Sequence, residues 1–205
     1  MIDFVLHIDK HLLEFVQTYG TWVYGLLFGI VFAETGFVVT PFLPGDSLLF
    51  AAGALCATGD LNMTAMLALL MVAAFSGNAV NYTVGRVIGP RVFQSGHRLL
   101  NKDYLDRGHA FFEEYGGKAI VLGRFVPIVR TFVPFVAGAA QMTPASFVLY
   151  NAAGAIAWVT LCLGAGWLFG NIPAVKNNFS LVTIGIVVVS LLPMVIEYAR
   201  ARRRF

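Results

Sequence analysis

Three long apolar segments dominate the pattern of hydrophobic and polar positions along the chain. Residues 63–89 and 144–170 are almost free of charge, and a third segment, 178–199, precedes an arginine-rich end. A helix needs about 20 apolar residues to cross the hydrocarbon core of a bilayer. Each segment is long enough, so the pattern predicts three transmembrane helices.

Two further segments mix apolar and polar positions at helical spacing. Residues 4–19 place apolar side chains three or four positions apart with charged residues between them, and residues 104–116, within the polar stretch 90–116, do the same. Helices of this kind lie in the plane of a membrane interface with the apolar face inward. We therefore expect an amphipathic helix ahead of the apolar part of each half of the chain.

Prolines and glycine interrupt the two remaining apolar stretches, 21–61 and 118–142. A helix broken at membrane depth leaves backbone groups unpaired, and it persists only where protein or a water-filled cavity surrounds it. We interpret both stretches as re-entrant hairpins, with one alternative for the first: a full crossing plus a shorter re-entrant piece. The residues expected to break the helices are Pro41, Pro44, Gly45, Pro127 and Pro134.

The two halves of the chain share an ordered set of features. Each has a Tyr-Gly pair, a proline-interrupted stretch, a Met-Thr pair and a GxxxG sequence, which is Gly85 to Gly89 in one half and Gly166 to Gly170 in the other. Chance similarity between two apolar stretches is the alternative. We predict an all-α polytopic membrane protein with a single domain over residues 1–205. Its parts are repeat 1 at about 1–89, repeat 2 at about 100–170 and an extra transmembrane helix at about 178–199.

Composition and charge agree with a membrane protein. Of the 205 residues, 58% are hydrophobic and 12% are charged, with a mean hydropathy of +0.76; soluble domains average about 25% charged residues. Basic residues are concentrated in the last six positions and in the stretch 90–118. Cytoplasmic loops carry such an excess, so we expect a cytoplasmic C-terminus and two repeats of opposite orientation. A nucleic-acid site would need these charges on a soluble face with interleaved aromatic residues, and the pattern predicts a membrane protein instead, so we expect no nucleic-acid partner.

Side chains suited to metal or nucleophilic chemistry are sparse in the apolar segments. Cys56 and Cys162 lie in separate segments, no histidine lies deep in one, and Ser47 is the single nominal nucleophile of the first hairpin. Metal sites need clustered ligands, and hydrolases need a nucleophile beside a base. We therefore expect no metal, no cofactor and no enzymatic activity.

Four charged side chains lie within the interrupted stretches, the acids Glu34 and Asp46 in the first and the bases Arg124 and Arg130 in the second. Each costs about 2.5–3.5 kcal/mol near the bilayer centre, so pairing, water or a ligand must offset the cost. One interpretation is salt bridges that only hold the hairpins together. The other is a site in which the arginines bind phosphate and the acids carry a proton or pair with them.

Simpler roles exist for three of these charges. Glu34 and Arg124 can be explained as interfacial side chains that snorkel towards water. Asp46 directly follows a Pro-Gly pair, so capping of the helix behind it is an ordinary role for that carboxylate.

The same residues carry a resemblance to the DedA family of bacterial membrane proteins, whose eukaryotic relatives have the SNARE-associated or VTT domain. It rests on ETGFVVTPFLPGDSLLFAAGAL, GNAVNYTVGRVIG and GRFVPIVRTFVPFVAGAAQM, followed by the pattern F..YN..GA..W, and it extends over about residues 5–200. The resemblance implies a multi-pass protein of the bacterial inner membrane with two facing re-entrant hairpins.

The resemblance also implies which residues act. The family requires the Glu of its E-[TN]-G segment, the Asp of P-G-D and the Arg of G/A-R-F and of V-R-T, which match Glu34, Asp46, Arg124 and Arg130. Relatives commonly have Gly-Asp where this chain has Gly77-Asn78, which puts a proton relay through that position in doubt. The supporting polar residues expected on the same helix are Asn78, Asn81 and Tyr82.

The function implied by the resemblance is lipid translocation. Family members move undecaprenyl phosphate or phospholipids, and some depend on the proton motive force. The expected partners are therefore a polyprenyl phosphate or a phospholipid, protons, and a second copy of the chain if the protein is a homo-oligomer. Two alternatives stay open at this stage: a proton-coupled small-ion transporter, and a non-transporting factor that maintains membrane integrity.

Overall fold

The computed structural model describes residues 19–37, 45–94, 116–170 and 172, and all regular secondary structure in these residues is helical. Two of the helices are long, with 32 and 26 residues, and the others have between 6 and 15 residues. The helices are α1 Trp22–Gly36, α2 Gly45–Thr58, α3 Met63–Gln94, α4 Lys118–Gly123, α5 Pro127–Ala139 and α6 Pro144–Phe169.

Helices α3 and α6 confirm two of the three predicted apolar helices. Met63–Gly89 and Pro144–Phe169 contain 27 and 26 residues, with mean hydropathies of 1.8 and 1.7, so both are long and apolar enough to cross a membrane. Helix α3 continues to Gln94, beyond the expected end at Gly89. Gly89 lies inside the helix, and it serves close packing there, because a Cβ at this position would overlap Ala139.

Several predicted elements fall outside the described residues. These are the amphipathic helix at 4–19, most of the one at 104–116, the third apolar segment at 178–199, and the breaks at Pro41 and Pro44.

The described residues divide into two compact units. The first unit contains residues 19–30, 45–71 and 159–170, and the second contains 31–37, 72–94 and 116–158. Helices α1, α3 and α6 each contribute residues to both units, so each unit combines segments from both halves of the chain.

In the second unit, α3 packs closely against α5. A Cβ added at Gly85 would overlap the Phe135 carbonyl, and one added at Gly138 would overlap the Tyr82 carbonyl. Only glycine allows two helix backbones to approach to this extent. The contact therefore fixes the C-terminal half of α5 against α3.

The first unit contains the same kind of contact, made by α6 and α2. A Cβ at Gly166 would overlap the Phe50 carbonyl, and one at Gly53 would overlap the Leu163 carbonyl. The partner helices have matching sequences, FAAGA over residues 50–54 and FVAGA over 135–139. The two GxxxG sequences, Gly85 to Gly89 and Gly166 to Gly170, thus each pack on a Phe-x-Ala-Gly-Ala segment of the same unit.

The predicted proline breaks have different outcomes. The chain turns between α4 and α5, Val126 is extended (φ −111°, ψ 111°), and Pro127 begins α5. Pro134, in contrast, lies inside α5, and Arg130 is helical rather than in irregular backbone. The expectation at Pro134 was wrong because the ring costs one hydrogen bond but has a helical φ, and packing at Gly138 holds the following turn. Gly45 begins α2.

Candidate functional site

A close contact between α1 and α3 positions Glu34 in the second unit. An added Cβ at Gly77 would overlap the Thr35 hydroxyl and would lie 2.8 Å from the Phe32 carbonyl. Glycine at this position lets the last turn of α1 lie directly on α3. Glu34 is in that turn and is fully buried.

Glu34 forms an ion pair with Arg130. Arg130, in the first turn of α5, donates from Nη2 to Glu34 Oε1, and both side chains are buried. Each charge alone would cost several kcal/mol of desolvation, and pairing offsets part of that cost. Two of the four charges predicted within the apolar stretches are therefore partners.

Arg124 is buried in the turn between α4 and α5. Its Nη2 donates to Ala74 O at 2.8 Å, and its Nη1 donates to Asn151 Oδ1 at 3.0 Å. The side chain runs along α6 past Gly154, where a Cβ would be 3.5 Å from Arg124 Cδ. These acceptors are neutral, so they solvate the guanidinium without cancelling its charge.

Asn78 and Asn81, two of the polar residues predicted to support the site, lie on α3 close to the buried charges. Asn78 donates from Nδ2 to Asn151 Oδ1 at 3.1 Å. In the reversed orientation of its amide it accepts from Arg124 Nη1 at 3.1 Å and donates to Thr35 O at 3.3 Å. Asn81 donates to Thr131 O at 2.7 Å and to Thr35 O at 3.3 Å. Asn81 therefore joins α3 to the backbone of α1 and α5, and Asn78 joins α3 to α6, next to the charged groups.

Sequence reasoning did not single out two residues of α6 that also contact the arginines. Asn151 donates to Phe75 O at 2.9 Å while its Oδ1 accepts from Arg124. The ring centroid of Trp158 is 4.9 Å from Arg130 Cζ and 5.6 Å from Arg124 Cζ. The amide of Asn151 within an apolar span could have indicated a functional residue. The indole of Trp158 could not, because an indole in such a span usually indicates packing.

Tyr82, the third supporting polar residue predicted on α3, contacts the segment after α5. Its hydroxyl donates to Met142 O and accepts from Arg86 Nη1 at 3.0 Å, and its ring stacks on Phe147 at a centroid distance of 4.0 Å. The long phenol reaches the segment after α5, where it completes an apolar core with Ala137. In the structure Tyr82 therefore has a packing role, and its part in supporting the site stays a prediction.

Asp46 belongs to the first unit, where it lies in the first turn of α2. A carboxylate there interacts favourably with the positive end of the helix dipole. Its expected approach to the two arginines stays a prediction. In the part of the chain that the structure describes, no group of three or more His, Cys, Asp or Glu side chains lies together.

Comparison with known proteins places these residues in a family. The VTT domain matches residues 43–168. The chain is 55% identical to the Protein DedA of Escherichia coli strain K12 over 206 residues, which is 99% of this chain and 94% of the relative.

More distant relatives have the same character. An uncharacterized membrane protein of Mycobacterium tuberculosis strain H37Rv is 42% identical over 85% of this chain and 78% of its own length. The inner membrane protein YqjA of E. coli is 37% identical over 74% of this chain and 69% of its own length. No solved structure matches the chain. With a family match over more than half of its length and two helices able to span a bilayer, this chain belongs to the DedA family of VTT-domain membrane proteins.

Proposed function

We propose that this protein moves a lipid with a phosphate headgroup across the bacterial inner membrane. The observation that carries the proposal is a charge imbalance. The described residues of the second unit contain one carboxylate, Glu34, and two buried guanidinium groups, Arg124 and Arg130. A buried cation that lacks a counter-ion is costly, so an anion bound here gains favourable interactions with the protein.

Guanidinium chemistry favours phosphate as that anion. The planar fork of an arginine matches the geometry of phosphate oxygens and donates two parallel hydrogen bonds to them. Arg124 and Arg130 both lie within 6 Å of the centroid of one indole ring, and we assign both to the same headgroup. Undecaprenyl phosphate and phospholipids have such a group, and the lipid tail would stay among apolar helices.

Glu34 is suited to couple this binding to protons. In the described arrangement its carboxylate binds the guanidinium of Arg130. A proton on Glu34 removes the negative charge and weakens that pair, which frees the Arg130 fork for phosphate. Loading of the lipid then favours proton uptake, as a proton-coupled translocase requires. From the sequence we assign Asp46 a second proton-carrying role, and we assign the two interrupted stretches the role of inverted re-entrant hairpins.

One observation favours a second candidate function. The Glu34–Arg130 pair has the form of a structural staple, since it joins α1 to α5 in buried surroundings. A non-transporting protein that maintains membrane integrity would need no more than this. Arg124 also joins helices, through Ala74 O on α3 and Asn151 on α6, but a neutral side chain could do this without the cost of a buried charge, which is why we place this account second.

Binding to a phosphate lipid tests the proposal. Purified protein in detergent is titrated with farnesyl phosphate, a short polyprenyl phosphate, and compared with the Arg124→Gln and Arg130→Gln variants. We expect each variant to bind about 10- to 100-fold more weakly, because hydrogen bonds to charged groups contribute about 1.5–3 kcal/mol. Lys118→Gln removes an exposed cation of the same unit and serves as the control. Equal affinity in all four proteins contradicts the proposal.

A further inference from the structure

Trp158 combines an unusual environment with complete burial. It is the largest of the fully buried side chains in the described residues. Both guanidinium carbons are within 6 Å of its ring centroid, at 4.9 Å for Arg130 and 5.6 Å for Arg124. This is the range in which a cation is attracted to the face of an aromatic ring.

The position of Trp158 on α6 connects it to the rest of the site. Asn151, Gly154 and Trp158 follow each other at intervals of three and four residues, so they share one face of the helix. Asn151 accepts from Arg124 Nη1, and Gly154 lies against the aliphatic part of the same side chain. One face of α6 therefore contacts the Arg124 side chain from its stem to its charged end.

The indole of Trp158 can stabilise two neighbouring guanidinium groups without adding a negative charge, which a second carboxylate would add. Two guanidinium groups close together repel each other, and one carboxylate compensates only one of them. A second carboxylate would stabilise the pair but would also cancel the charge that attracts an anion. The face of an indole attracts a cation through its quadrupole and has no net charge. It can hold both guanidinium groups while their positive charge stays available to a ligand.

We propose that Trp158 is a positioning residue of the anion site, which uses the π face of its indole to hold the guanidinium groups of Arg124 and Arg130 together for one phosphate headgroup. This inference rests on the proposed function for the identity of the anion. The alternative is that Trp158 only fills volume in the core of the second unit. The two accounts differ in one respect: volume filling does not depend on the electron density of the ring.

Fluorination of the indole separates the two accounts. Each added fluorine withdraws density from the π face with little change of shape, so a series of mono-, di- and trifluorinated tryptophan weakens a cation–π contact stepwise. The chain has three tryptophans, and the other two, Trp22 and Trp167, are 75% and 47% exposed. The double variant W22F/W167F therefore directs the label to position 158 alone.

Two quantities are measured on the labelled full-length protein in detergent. The first is the midpoint of thermal unfolding without ligand, which we expect to fall stepwise by about 3 °C across the series. The second is the affinity for farnesyl phosphate, which we expect to fall by about tenfold because the two guanidinium groups are held less firmly. A protein labelled only at Trp167, made as W22F/W158F, is the control and should show neither trend.

The outcomes distinguish this inference from the proposed function. Stepwise trends in both quantities at Trp158 support the positioning role. Flat unfolding midpoints across the Trp158 series overturn it, whatever the affinity for lipid. A stepwise unfolding trend in a protein that does not bind farnesyl phosphate even without fluorine supports the contact between Trp158 and the arginines and contradicts the phosphate proposal alone.

Discussion

At the scale of single residues, three charged side chains within apolar segments form the centre of the candidate site. Glu34, Arg124 and Arg130 are conspicuous because charge is costly in an apolar segment, and all three are buried. The sequence offered two acids for two bases without a way to pair them, whereas the structure pairs Glu34 with Arg130. Asn151 and Trp158 belong to the family pattern F..YN..GA..W, but their contacts with the arginines depend on distances between helices, which that pattern does not contain.

The Glu34–Arg130 pair gives a prediction that separates a staple from a binding site. Glu34→Gln leaves a buried guanidinium without its counter-ion, and we expect the free energy of unfolding to fall by about 3–5 kcal/mol. Combining Glu34→Gln with Arg130→Gln removes both charges and should restore most of that stability. Thermal unfolding in detergent measures the stability of the single and double variants. Lipid transport is then measured for the double variant, which is expected to be stable. A staple predicts normal transport from the double variant, whereas our account predicts none.

At the scale of helices, the sequence predicted apolar spans well and helix breaks less well. The expected segments 63–89 and 144–170 correspond to α3 and α6, because length and hydropathy decide such spans. Pro134 was expected to break α5 and lies inside it, because tertiary packing overrides local preference. The contacts between each GxxxG sequence and its partner helix required the structure.

These helix contacts predict equal sensitivity at two distant glycines. Gly53→Ala and Gly138→Ala each place a Cβ on a backbone carbonyl, of Leu163 and Tyr82 respectively. We expect each to lower the free energy of unfolding by about 1–3 kcal/mol, the usual cost of overpacking. Gly164→Ala, with no neighbour within 4 Å of its Cβ position, should be neutral or slightly stabilising. A large effect at Gly138 with none at Gly53 would contradict the equivalence of the two contacts.

At the scale of the whole molecule, the family and the membrane character follow from the sequence, and the identity of the proposed lipid substrate does not. Hydropathy and the segments around Glu34 and Arg130 were enough to identify the family, which the VTT match over 43–168 confirms. The buried charges favour an anion, but the tail of a lipid contacts apolar surface that discriminates weakly between lipids. The identity of the lipid therefore has to come from transport.

The most direct test of the central claim is transport by purified protein in proteoliposomes. Flipping of undecaprenyl phosphate and of phosphatidylethanolamine is followed side by side, with and without a pH gradient, together with an ion-sensitive dye. We predict protein-dependent flipping of a phosphate lipid that the gradient accelerates and that Arg130→Gln lowers at least about tenfold, with no separate ion flux. Flipping that is equal in Arg130→Gln and the unmodified protein, or ion flux without lipid movement, would contradict the account.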